Sequence, residues 1–447
     1  MQDARSLVFD ILVALSKKPD TLDAVMDRHT RGLSLDRREM ALANALVYGV
    51  LRHRGVLDHT IDHFASRGIS SLDKRLLAIL RLGLFQLRFM DRIPESAAVN
   101  TAVELAKVKC SEKSGKFANA ILRSCIREPE QPDILELEPV KRLSISQSMP
   151  QWLVEKWIER MGFEETEKLC KASNDIAPIT VRTNTLKISR AELLERLRPE
   201  VKEIAPTPIS PLGISFTAPS VPIFEMSAFK EGLFQVQDEA AQLIALMVSP
   251  KPGQRALDLC AGVGGKSGHL AQVMENQGEL ISMDVEGYKL ESLKKEMHRL
   301  GITCIQTQAA DLTCESPEII KDGFDAVLVD APCSGLGVIR RNPDTKWNHF
   351  KRNATRHAKK QKTILSAAAR CVRPGGTLVY AVCSMEPEEN AAVVQAFLEK
   401  HSDFRMMDPF DAVPSGAEAL ITPEGYVATL PHRHNMDGFF AAKLKRV

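Results

Sequence analysis

The 447-residue chain contains no apolar run of about 18 residues, so nothing in it reads as a membrane span. Residues 1–20 form an amphipathic pattern that carries acids. They lack the basic start, apolar block and small-residue cleavage site of a secretory signal. No CxxC pair occurs, which argues against a structural zinc site, and no metal is expected. The nine cysteines are odd in number and scattered, which points to reduced thiols in a cytoplasmic setting rather than a disulfide framework. An excess of one charge is also missing: 59 Lys+Arg face 57 Asp+Glu, for a net charge of +2. The balance is uneven along the chain, however. Residues 1–127 hold 21 basic against 14 acidic side chains, and residues 128–250 hold 13 against 19. A basic front on a near-neutral chain suggests a polyanionic partner. Nothing implies an oligomer.

The expected fold class is multidomain, α followed by α/β. Residues 1–128 read as all-helical, with apolar residues at helical spacing in LVFDILVAL, REMALANALVYGVLRHRGVLDHTI and KRLLAILRLGLFQL. Pro94 marks a break between helices. Residues 129–149, rich in Pro and Glu, have the composition of a linker. Residues 150–236 predict a small α+β subdomain: helix QWLVEKWIERMG, strand ITVRTNTL and capped helix ISRAELLERL. From residue 237 to 447 strands and helices alternate, which predicts a Rossmann-like, mostly parallel sheet covered on both faces. Its strands are RALDLC, ELISMD, CIQTQ, FDAVLVD and GTLVYAVC. Ligands of such sheets bind at the carboxyl ends of the strands.

RALDLCAGVGGKSGHL, residues 255–270, is a strand, a glycine-rich turn and a helix start. A Walker loop needs glycine where Cys260 stands, and the dinucleotide pattern needs its third glycine where Ser267 stands, so neither template fits. Asp258 followed by Gly262 and Gly264 resembles instead the first motif of methyltransferases that use S-adenosylmethionine. Asp284 ends the next strand, about 20 residues on, where a carboxylate accepts from ribose hydroxyls. Asp311 follows the third strand and Asp330 ends the fourth. A single such Asp is more often a helix N-cap, but three in succession favour a ligand site. The cofactor candidates are Cys260, Ala261, Gly262, Val263, Gly264, Gly265, Lys266, Asp284, Asp311 and Asp330, with S-adenosylmethionine as the ligand.

Asp330 opens DAPCSGLG, and a second thiol stands in YAVCSMEPEEN. Cys333 and Cys383 therefore lie at the ends of two sheet strands, within reach of one base. A thiol is needed where the methyl acceptor is a carbon that is not itself nucleophilic. C5 of a pyrimidine is one: addition of a thiolate to C6 makes C5 nucleophilic, and the C5 proton and the sulfur then leave. An acid near N3 helps the addition, and Asp330 is placed for it. Physical reasoning alone does not rank the two cysteines.

DLCAGVGGK, DAPCSGLG, YAVCSMEPEEN and the ending HNMDGFFAAKLKR resemble the RNA cytosine-5 methyltransferases of the Nol/Nop/Sun type, over roughly residues 150–447. LRLGLFQLRFMDRIPESAAVNTAVELAK and FANAILR resemble the NusB-type RNA-binding helical domain. The combination is similar to the bacterial enzymes that methylate C5 of a cytosine in 16S ribosomal RNA. The resemblance implies Cys383 as nucleophile, Cys333 as the thiol assisting release, and ribosomal RNA, free or in a partly assembled small subunit, as partner. One departure stands out: the family's loop usually reads CAAPGGK, so Gly262 and Val263 replace Ala and Pro.

Residues 338–362 carry nine Lys+Arg and one Asp, with Trp347, His349, Phe350 and His357 interleaved. Basic groups neutralise phosphates and aromatic faces stack bases. Arg340, Arg341, Lys346, Lys351 and Arg352 are the RNA-binding candidates. A second basic surface is expected in the front domain from Arg5, Lys17, Lys18, Arg28, Arg31, Arg37 and Arg38. The rival readings are a transfer-RNA methyltransferase and an RNA-binding factor with an inactive methyltransferase body.

Overall fold

The computed structural model describes the chain except residues 1–2, 18–19, 34, 129–133, 312, 314–322, 349–352 and 412–413. The candidates Lys351 and Arg352, together with Lys18, His349 and Phe350, lie outside the described residues. The chain divides into two compact units. Met1–Asp175 with Ile339–Lys351 forms the first, and Ile176–Val338 with Arg352–Val447 forms the second.

The helical periodicity of the front segment builds α1 (Ala4–Lys17), α2 (Leu22–Thr30), α3 (Arg37–Arg52), α4 (Arg54–Phe64), α5 (Lys74–Phe89), α6 (Glu95–Lys109) and α7 (Glu112–Arg127). Asp side chains cap α3 and α5, with Asp36 accepting from Glu39 N and Asp73 from Arg75 N. Leu7, Val8 and Ile11 of α1 are fully buried with Leu46 and Val47 of α3 and Ile79 and Leu80 of α5. Helices α3 and α5 approach so closely that a Cβ on Gly49 would lie 1.9 Å from the Phe85 ring. REMALANALVYGVLRHRGVLDHTI is two helices, broken at His53.

Part of the expected linker is helical: α8 (Pro139–Ser146) starts on a proline and buries Leu143. It packs on α4, where the Val56 N–H donates to Ser148 Oγ at 3.0 Å. Helices α9 (Gln151–Met161) and α10 (Phe163–Asn174) follow, inside the stretch expected as a small α+β subdomain, and group with the first compact unit.

The second unit holds two sheets. A four-stranded antiparallel sheet comprises β1 (Ile179–Thr183), β2 (Lys202–Pro206), β3 (Gly213–Thr217) and β4 (Phe234–Val236) in the order β2-β3-β1-β4. Helix Arg190–Leu197 packs on it behind a complete capping box from Ser189 and Glu192. The larger sheet contains β5 (Arg255–Leu259), β6 (Glu279–Asp284), β7 (Ile305–Ala309), β8 (Phe324–Asp330), β9 (Val372–Val382), β10 (Phe404–Met406), β11 (Val427–Ala428) and β12 (Phe440–Arg446). Its order is β10-β12-β9-β8-β5-β6-β7, with β11 paired to β12. The five strands from β5 to β9 are parallel, and β12 runs antiparallel to β9. Strand residues alternate between two cores: Leu280, Leu328 and Val379 face one, and Ile281, Val327 and Leu378 the other. The chain winds outward from β5 through β6 and β7, then returns to place β8 on the other side of β5. That reversal opens a crevice at the carboxyl ends of β5 and β8.

Candidate active site

The turn after β5 is set by backbone conformation. Cys260, Gly262 and Gly264 have φ of +62°, +55° and +90°. The glycines adopt this region freely, while Cys260 carries local strain. A Cβ on Gly264 would lie 2.7 Å from Leu293 Cγ, so the position demands glycine. The loop is tied to the next strand: the Ala261 N–H donates to Met283 O, and the Gly262 N–H to Asp284 Oδ2, both at 2.9 Å. Beneath it Asp258 is fully buried, accepting from Ser267 Oγ at 2.6 Å. Burial pushes its carboxyl up to about 7, against the opposing hydrogen bond from Ser267.

The helix that follows, Gly265–Val273, is anchored by an arginine that the sequence did not reveal as important. Arg182 of β1 is fully buried and donates to Gly265 O at 2.9 Å, to Gln272 Oε1 and Gln235 Oε1 at 2.8 Å, and to Gln237 Oε1. Burial lowers its guanidinium to about 9, so it stays charged at neutral pH. The small sheet thus fixes the first turn of the loop's helix.

A cleft of about 300 Å³ lies at the strand ends. Cys260, Gly262, Asp284, Asp311 and Asp330, all cofactor candidates, line it. Ala261, Val263, Gly264, Gly265 and Lys266 belong to the same turn but do not line the cleft. Val263 is exposed, and Lys266 donates to Asp330 Oδ2 at 2.7 Å. Burial alone would lower the Lys266 ammonium, but the charge of Asp330 and the hydrogen bond to it outweigh that and raise it. Hydrogen bonds from Thr313 hold the Asp311 carboxyl below its ordinary value. Burial drives the Cys260 thiol up to about 12, so it keeps its proton. Met283, Glu286, Lys289, Pro332, Lys360 and Ile364 also line the cleft and were not singled out by motif. Carboxylates on three successive strand ends beside an apolar floor suit the hydroxyls and base of a nucleoside.

The loops after β8 and β9 bring the two thiols together. Cys333 Sγ and Cys383 Sγ are 3.3 Å apart, both free and both half-buried. The Gly337 N–H donates to Cys383 O at 3.1 Å, and a Cβ on Gly337 would lie 1.8 Å from Gly438 O. The Cys333 thiol is raised well above its ordinary value, first by its hydrogen bond with Cys383 and then by burial.

The basic segment divides between two places. Lys346 is not a surface cation: it is fully buried in the first unit, donating to Arg52 O at 3.0 Å and to Asn174 Oδ1 at 2.9 Å. Arg340 is buried as well, and its carbonyl accepts from Arg52 Nη2 at 2.7 Å. Trp347 donates to Leu51 O and lies under the Arg54 guanidinium, 4.9 Å from the ring centroid. Arg341 is half-buried. Among the described residues of the segment, the exposed cations are Arg356, Lys359, Lys360 and Lys362 on helix Asn353–Ala369, and Lys360 reaches the cleft. Sequence spacing could have found them, since they recur at three- and four-residue intervals on one helix.

A doubly wound sheet with this glycine turn, these strand-end acids and paired strand-end thiols defines a methyltransferase. A family model described as 16S rRNA methyltransferase RsmB/F matches residues 245–445. A NusB family model matches residues 2–127, and a ferredoxin-like domain model of RsmF/B-like methyltransferases matches residues 149–223. The chain is 36% identical, over the full length of both, to the probable ribosomal RNA small subunit methyltransferase B of Synechocystis. It is 33% identical to the protein of that name from Bacillus subtilis, over 99% of this chain and 98% of the relative. The crystal structure of PH0851 superposes with a TM-score of 0.83 at 27% identity, covering 99% of this chain and 98% of that one. The chain belongs to the RsmB/F family of 16S rRNA methyltransferases, with a NusB-like helical domain at its front.

Proposed function

We propose that this protein methylates C5 of a cytosine in 16S ribosomal RNA, with S-adenosylmethionine as methyl donor, through a transient bond between Cys383 and C6. The observation that carries the reading is the pair of free thiols 3.3 Å apart at the ends of adjacent parallel strands. Pro332, next to Cys333, lines the nucleoside-sized cleft. S-adenosylmethionine, when bound, supplies an electrophilic methyl group. Asp284 and Asp311 offer carboxylate acceptors to ribose and adenine, and the turn from Cys260 to Lys266 holds the β5 edge in place for them. Asp330, oriented by Lys266, faces N3 of the target base.

Cys383 attacks C6, and the displaced electron pair makes C5 the nucleophile. Cys333 keeps its proton during the attack, because both its hydrogen bond and its burial oppose ionisation. Once C5 carries the methyl, its proton passes to solvent water, the C5–H electron pair re-forms the C5–C6 double bond and the Cys383–C6 bond breaks; Cys333 is close enough to protonate the departing sulfur and regains its proton from solvent. A base within folded RNA must leave its stack, at a cost of a few kcal/mol. Phosphate contacts from Arg356, Lys359 and Lys360 and from the helical domain, with Arg5, Arg28, Arg31 and Arg37 among its cations, offset that cost. Cytoplasmic ribosomal RNA is the partner of this reading.

The test is a pair of variants assayed on 16S RNA. Cys383→Ala abolishes methyl transfer, and Cys333→Ala accumulates a protein–RNA adduct that survives denaturing electrophoresis. The reverse pattern overturns the assignment, and bisulfite mapping of the RNA product locates the modified cytosine.

A further inference from the structure

The two thiols sit on separate loops, yet one side chain touches both loops, and the reaction above does not use it. Glu389 is fully buried. Its Oε1 accepts from the Ser334 N–H at 2.8 Å and from Gln361 Nε2 at 3.2 Å. Its Oε2 accepts from Ser334 Oγ and from Ser384 Oγ, each at 2.5 Å. Ser334 follows Cys333 directly, and Ser384 follows Cys383 directly. Both serines are buried, and their hydroxyls are 3.2 Å apart. Gln361, also fully buried, donates to Pro332 O at 3.1 Å, on the other side of Cys333. The main chain at Glu389 is fixed in turn: Tyr380 of β9 donates its hydroxyl to the Glu389 carbonyl at 2.6 Å.

A buried carboxylate needs compensation, and four donors from three segments supply it. Those donors converge only when the β8 and β9 loops stand in one relative position. Hydrogen bonds of this kind are short and directional, so a loop displacement of about 1 Å breaks them. The hydrogen-bond partners of the carboxylate, Ser334, Ser384 and Gln361, do not line the cofactor cleft. Its contacts therefore bear on the placement of the thiols.

We propose that Glu389 is the positioning residue that sets the spacing of Cys333 and Cys383, by clamping the serine that follows each. The inference rests on the covalent reading above for its catalytic consequence, but the spacing itself does not. Glu389→Gln keeps the shape and one acceptor oxygen, and the serine hydroxyls can turn to accept from its amide. Glu389→Ala leaves the serine donors unpaired and frees the loops.

The experiment measures thiol proximity in the full-length protein without reference to turnover. Dibromobimane links two thiols only when they are close, each thiolate displacing one bromide, and peptide mapping by mass spectrometry identifies the linked pair. In the wild-type protein the Cys333–Cys383 link forms. In Glu389→Ala its rate falls by about tenfold or more, and in Glu389→Gln it stays within about threefold. Methyl transfer by Glu389→Ala loses kcat by a comparable factor while KM for S-adenosylmethionine is unchanged, and Glu389→Gln recovers most of the loss. If Glu389→Ala does not fold, the double variant Ser334→Ala/Ser384→Ala removes the same clamp and slows the link equally. Undiminished linking in whichever of these folds overturns the proposal. Slowed linking, in a protein whose wild type forms no adduct with RNA, upholds the clamp and overturns the covalent mechanism instead.

Discussion

Asp258 shows how a residue's setting outweighs its chemistry. Its carboxyl is raised from 3.8 to about 7 because burial dominates the hydrogen bond from Ser267. The native state therefore holds a proton that the unfolded chain gives up near pH 4. A raised carboxyl contributes stability that is complete below about pH 4 and is lost as pH rises through 7. The full swing is on the order of 4 kcal/mol. Asp258→Asn is expected to flatten the decline in melting temperature between pH 5 and 8 relative to wild type. Parallel decline in the two proteins would show that Asp258 is ionised throughout. The aspartates at the strand ends were legible in the sequence because an apolar run announces each strand and its last residue. Glu389 was not: it sits among Glu386 and Glu388, and a run of acids reads as solvated surface, yet the fold buries Glu386 and Glu389.

The same limit holds for the element from Ile339 to Lys351. Its cations and tryptophan looked like an RNA surface, yet Arg340 and Lys346 are interior and Trp347 packs on the helical core. Charge in a sequence records chemistry but not exposure, and a long lysine with two acceptors at its tip tolerates burial. Lys346→Ala is expected to destabilise the first unit by about 2–4 kcal/mol, because Arg52 O and Asn174 Oδ1 lose their donor and a cavity opens. Chemical denaturation measures it; an unchanged midpoint would return Lys346 to the surface. Replacing Arg356, Lys359 and Lys360 together by alanine should instead weaken RNA binding and leave the denaturation midpoint close to wild type. The strands were legible where apolar residues run unbroken, as in β5, β6 and β8. Strand β9 begins at Val372, four residues before the expected GTLVYAVC, because Pro374 and Gly375 read as a turn but sit at a register shift beside Phe324. Strand β4 is only three residues long and carries too little pattern to be seen. Helix α8 was hidden by Pro139, which starts it rather than breaking it.

At the scale of the molecule, the chain pairs a basic helical unit with a methyltransferase body. Binding of 16S RNA to the full-length protein should weaken steeply with salt, each phosphate contact contributing roughly 0.7–0.9 to the slope of log affinity against log salt concentration. A flat dependence would remove the phosphate-contact account. The helical front was legible because its apolar spacing is local, whereas the grouping of helices α8 to α10 with the first unit rests on contacts distant in sequence.

The most direct measurement is the mass of the peptide joined to RNA. The full-length protein is incubated with S-adenosylmethionine and target RNA carrying 5-fluorocytidine, whose fluorine blocks the elimination that would free the enzyme. After digestion, the account predicts one cross-linked peptide, containing Cys383, with the methylated base attached through sulfur. A cross-link at Cys333, or methylated RNA with no cross-link to either cysteine, would contradict it.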